Sequence, residues 1–146
     1  MQRISSVAVL LVVLQASGTA RPQSRASTSY VIIVNPDNPE NEVDRQFLEG
    51  AFLKKVTRWP SDEVIRPAEL VASSPARRRF SQDVLERSVE AVKGYWQQRI
   101  FSGRDVPPPE FGTNQEVIDY VLKYVGAIGC VSADANLDRV KILTIK

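Results

Sequence analysis

"YVIIVN", residues 30–35, is a run of five apolar residues closed by an asparagine. Strict alternation would mark a strand with one wet face, whereas an unbroken, β-branched run marks a strand covered on both faces. Such a strand is expected at the centre of a sheet. Asn35-Pro36 ends the run, and "PDNPEN" (36–41) carries turn chemistry: Pro36 and Pro39 fix φ, while Asp37, Asn38 and Asn41 have side chains that bond nearby backbone. Asp44 then opens a helix running through Leu53, with Phe47, Leu48, Ala51 and Phe52 on one face.

Further along, "LKKVTRWPSDEVIRP" reads as a loop anchored by Trp59 and stopped by Pro60, and "EVIRPAELVA" as a strand whose Pro67 suits an edge or a bend. Ser74 is a good helix cap with Pro75 in the favoured first position, which predicts a helix with Ala76, Phe80 and Val84 on one side. After a break near Arg87-Ser88, a second helix carries Val89, Val92, Trp96 and Ile100 inward. The Gly/Pro-rich "SGRDVPPPEFGTN" leads to a third helix, capped by Thr113 or Asn114, with Val117, Ile118, Val121, Leu122 and Val125 inward. "GAIGCVS" and "VKILTIK" are two more strands. Strands interrupted by helical pairs predict an α/β layer structure, a mixed sheet flanked by helices.

A chain of 146 residues has the length of one domain, and 19 basic against 17 acidic side chains leave a net charge of only +2. That balance does not supply the basic face of a nucleic-acid binder, so no nucleic-acid partner is expected. Residues 1–20 read as an export signal: a basic start at Arg3, an apolar run from Val7 to Leu14, and the small residues of "ASGTA" for cleavage. The run is too short to span a bilayer, so no stable membrane insertion is expected. Residues 21–29 read as a flexible segment and 30–146 as the folded domain of a protein secreted to the periplasm or beyond. With no histidine and a single cysteine, Cys130, neither zinc nor a histidine-dependent nucleophile is expected, and no cofactor. Cys130 lies in an apolar stretch, which suits burial.

Several groups invite a functional reading. Asp62-Glu63 and the pair Asp134 and Asp138 show no diagnostic spacing for acid/base or metal chemistry, and the aromatics near Arg58, Arg99 and Arg104 fall at core-facing helical positions. "SSPARRRF" (73–80) is more informative. Cations in a first helical turn oppose the partial positive charge of unpaired N–H groups, so helix-building alone would choose acids there. A loop-to-helix turn with serine hydroxyls holds an oxyanion well, and an arginine completes it. Successive helical residues diverge by about 100°, so Arg77, Arg78 and Arg79 cannot all face one ligand. On the sequence pattern alone, a solvated basic face with Ser74 as an ordinary cap is the simpler reading.

Five stretches in order, "YVIIVNPDNP", "FLKKVTRWP", "SSPARRRF", "YWQQRIFSGRDVPP" and "GAIGCV", resemble the short secreted relatives of phosphate-binding components of ABC transporters, within the type 2 periplasmic-binding fold. The resemblance covers about Tyr30 to Lys146. It implies a single α/β lobe of a clamshell whose helix start offers backbone N–H groups, a serine and a threonine to phosphate, with an arginine upstream. Aligned on Phe80, Ser74 stands at the ligand serine, but Pro75 replaces a glycine, Ala76 the threonine and Leu70 the arginine. Lys54 occupies a family glycine, and Cys130 a position where an aromatic often follows Ile-Gly. The expectation is a non-enzymatic, solute-binding-like protein holding phosphate or another oxyanion weakly at Ser73, Ser74 and Arg77. The alternative is a ligand-free accessory protein that docks through Arg77 to Arg79. Tight capture by one lobe would need a homodimer or a protein partner.

Overall fold

The computed structural model describes residues 29–146; the expected export signal and residues 21–28 of the segment after it lie outside the described residues. Six strands and four helices follow in the order β1 (Tyr30–Val34), β2 (Glu42–Val43), α1 (Arg45–Phe52), β3 (Arg66–Leu70), α2 (Pro75–Asp83), α3 (Val89–Phe101), β4 (Glu110–Phe111), α4 (Asn114–Lys123), β5 (Ala127–Ser132) and β6 (Lys141–Ile145). They form one mixed sheet in the order β2-β6-β1-β5-β3-β4. β1 is antiparallel to both neighbours, with Ile32 opposite Cys130 on one side and Leu143 on the other. β3 runs parallel to β5 and β4, and β2 parallel to β6.

The unbroken apolar run of β1 is explained by this position. Ile32 and Val34 enter one core with Leu48, Phe52, Phe80 and Trp96, while Ile33 enters a second with Val117, Ile118, Val121 and Val131. Thus α1, α3 and much of α2 supply one layer and α4 the other. The close approach of α4 depends on Gly129 of β5, where an added Cβ would stand 2.6 Å from Val117 Cγ1. Trp59 anchors its loop as expected, buried and donating from Nε1 to the Gly126 carbonyl at 3.0 Å.

The expected caps form: the Asp44 side chain accepts from Phe47 N–H, and Thr113 closes a capping box with Glu116. At the expected break Ser88 caps α3 as well, accepting from Ala91 N–H. Pro67 sits inside a strand with interior rank, yet its missing N–H is harmless. Arg66 N–H bonds to the Gly126 carbonyl just before β5, Glu69 N–H bonds outward to Pro109, and β4 pairs only with Glu69 and Leu70, so the strand is locally an edge at Pro67. Two expectations for side chains fail: Ile100 and Val125 are exposed rather than inward. Ile100 is in the last turn of α3, and Val125 lies past Tyr124, where α4 has ended. The two-residue strands β2 and β4 were not expected, because two residues cannot display a period.

Candidate functional site: a buried arginine beside a cavity

The chain leaves β3 at Leu70, turns with Ser74 N–H bonded to the Val71 carbonyl at 3.0 Å, and enters α2. Ser74 is extended, φ −67° and ψ 127°, and its Oγ accepts from Arg77 N–H at 3.4 Å. Pro75 occupies the first position and has no N–H to offer. Ser73 is exposed at the turn and Ser74 half-buried.

The three arginines separate as their angular spacing requires. Arg78 is exposed and donates from Nε to the Ala72 carbonyl at 3.1 Å. Arg79 is exposed and pairs with Asp83, Nε to Oδ2 at 2.8 Å. Arg77 instead turns under the helix start and is only 1% exposed. Its Nη2 donates to Glu69 Oε2 at 2.9 Å, and Glu69 is itself 2% exposed. Ser74 therefore meets Arg77 through the backbone cap, while the guanidinium lies elsewhere, against β3.

The ion pair is incomplete. Arg77 Nε and Nη1 and Glu69 Oε1 are buried with no hydrogen-bond partner, as is Trp96 Nε1. Each unmet buried polar group costs a fold about 1–3 kcal/mol, so three in one pair are a heavy load. Burial pushes the Glu69 carboxyl up to about 7, Arg77 pulls the other way, and the nearby Glu110 adds to the rise. Cys130 is buried as expected, and burial holds its thiol far above the ordinary range, which makes it an inert core group.

Glu69 and Arg77 form part of the wall of a cavity of about 520 Å³ between α3 and the segment entering β4. Val92, Trp96, Ile100, Pro107 and Pro108 give it apolar sides, and Lys93 and Glu110 add one charge of each sign. Ser73 and Ser74 do not line it, although Ala72 beside them does. Glu69, Pro107 and Pro108 were not foreseen as parts of a site, and Trp96 was read as core alone. One signal was available for Glu69: an acid between Ala68 and Leu70, in the apolar part of its strand, requires a cation on a neighbouring element. Among the described residues no group of three or more potential metal-binding side chains comes together, and no helix is long and apolar enough to cross a membrane.

A mixed sheet of six strands between helical layers is the architecture of one lobe of a periplasmic-binding-type protein. The likeness to solved structures agrees. An ABC-type phosphate transport receptor from Vibrio cholerae superposes with a TM-score of 0.61 and 20% identity, covering 82% of this chain and 48% of its own. A phosphate ABC transporter substrate-binding protein from Clostridium perfringens, solved with bound phosphate, gives 0.63 and 17%, covering 82% and 46%. PstS from Borrelia burgdorferi gives 0.61 and 14%, covering 81% and 47%. No protein-family model and no curated protein matches the chain. The chain thus has the fold of phosphate ABC transporter substrate-binding proteins and spans less than half the length of these receptors. The fold expected from the five sequence stretches is the fold found.

Proposed function

We propose that this is an exported, non-enzymatic, solute-binding-like protein that holds phosphate or another oxyanion weakly where β3 gives way to α2, using Ser73, Ser74 and Arg77. The observation that carries the reading is Arg77: a guanidinium enclosed by the fold, with Nε and Nη1 unmet, on the first turn of a serine-capped helix. A purely structural arginine would be expected to complete its hydrogen bonds. The neighbours in fold are phosphate receptors, which supports an oxyanion as the ligand class. Weakness follows from the chemistry at the turn, since Pro75 supplies no donor and Arg77 N–H is already taken by Ser74. Tight capture would then depend on a second copy or a partner to close over the site.

Docking through Arg77 to Arg79 is less well supported. Arg77 is buried, and the exposed Arg78 and Arg79 already have partners within α2 and its entry turn. Calorimetric titration of the protein with inorganic phosphate at low salt, with sulfate in parallel, tests the oxyanion reading. Saturable heat that weakens in Ser74→Ala is expected. Absence of heat with both anions would overturn the reading, and heat unchanged by the substitution would remove Ser74 from the site.

A further inference from the structure

We infer that the cavity beside Arg77 takes a small organic carboxylate, its apolar body lying against Trp96 and the Pro107-Pro108 wall and its charge met by the unpaired N–H groups of Arg77. The inference rests on the oxyanion reading to the extent that both use Arg77, but it assigns a ligand class and a chamber that the phosphate resemblance does not.

Lining chemistry argues against inorganic phosphate as the natural occupant. A volume of about 520 Å³ with walls from Val92, Trp96, Ile100 and the two prolines is large and apolar for a small hydrated ion. It falls in the range of pockets that enclose organic molecules. Charge argues the same way. Arg77 and Lys93 are balanced by Glu69 and Glu110, so a dianion would sit between two acids, whereas a monoanion asks for one cation. Among the residues that line it, unmet buried donors outnumber unmet buried acceptors three to one: Arg77 Nε, Arg77 Nη1 and Trp96 Nε1 against Glu69 Oε1. That surplus fits a ligand whose polar end only accepts, as a carboxylate does. A body lacking that group would leave the arginine as it stands.

Protons are linked to this binding. Glu69 faces Arg77 on α2, Glu110 on β4, Cys130 on β5 and, across the cavity, Lys93 on α3. Its carboxyl, already pushed up to about 7, is raised further when a second carboxylate arrives beside it. The complex therefore takes up a proton near neutrality, and affinity falls as pH rises through this range. A probe carboxylate itself stays ionised above roughly pH 5.

Titration of the protein by calorimetry with phenylacetate, acetate, 2-phenylethanol and inorganic phosphate, at about pH 6 and about pH 8, tests the inference. Phenylacetate is expected to bind at least about tenfold more tightly than acetate or phosphate, and more weakly at the higher pH. Ile100→Glu, at an exposed position on the cavity wall, should weaken phenylacetate about tenfold by repulsion while the fold persists. The double variant Glu69→Leu with Arg77→Met removes the ion pair as a unit and should abolish the preference for phenylacetate over 2-phenylethanol. Phosphate binding with phenylacetate no tighter than acetate would overturn this inference and leave the oxyanion reading intact. Equal binding of 2-phenylethanol and phenylacetate would overturn the part given to Arg77. No binding of any anion would overturn both readings.

Discussion

Arg77 and Glu69 stabilise the lobe only as a pair. Removing one partner leaves an uncompensated buried charge, so Arg77→Met alone should cost about 3–5 kcal/mol in chemical denaturation, while Arg77→Met with Glu69→Leu should recover most of the loss. The pair also sets a pH dependence with a definite sign. The folded carboxyl of Glu69 is raised from 4.5 to about 7, so between these values the unfolded chain has released a proton that the folded chain retains. Stability from this group is therefore highest at the acid end of that window and declines as pH rises through it, levelling off above 7. Denaturation midpoints of wild type and Glu69→Gln, measured across the window, should show a slope attributable to this group in the first and none in the second. The run Arg77-Arg78-Arg79 could not reveal any of this by itself. Three adjacent cations in one helical turn read as solvated, and the partner that draws one inward lies on a neighbouring strand eight residues earlier.

Where elements meet, single positions decide the fit. α1 ends in a left-handed residue: Lys54, φ 53°, donates from N–H to the Ala51 carbonyl at 3.2 Å, and Lys55 N–H reaches Gly50 at 2.8 Å. This is the Schellman arrangement, for which glycine is the preferred residue. It explains physically why the sequences that this chain resembles carry glycine where it has lysine. Lys54 is held there by contacts of its ammonium with the Val106 carbonyl at 2.8 Å and Asp105 at 3.4 Å. Lys54→Gly should therefore be more stable than Lys54→Ala by about 1 kcal/mol, since both lose those contacts and only alanine retains the backbone strain. Gly129→Ala forces a methyl into Val117 and should cost about 1–3 kcal/mol, read as a lowered denaturation midpoint. Caps and long apolar runs were legible because Asp44, Ser74, Thr113 and β1 state their chemistry locally. The pieces β2 and β4 were not, since each exists only because a neighbouring strand offers a free edge.

For the molecule as a whole, β6 matters more than its five residues suggest. It pairs with β1 on one side and β2 on the other, and it brings Leu143 into the core. A chain cut after Val140 should expose an edge of the central strand, leave β2 unpaired, and appear as aggregate on gel filtration. The cavity belongs to this scale too: Trp96, Pro107 and Arg77 are separate in sequence, so no local pattern announces the chamber that they share. The placement of β1 has a further consequence, in time rather than space. Its two neighbours are β5 and β6, so the strand that opens the described fold finds no ladder partner until residues 127–145 are present. Closing so long a loop before any central pairing forms is a slow route to the native state. A chain made from its N-terminus would thus hold its most apolar strand unsatisfied through most of synthesis, and that interval is when a chaperone or a stray strand would find it.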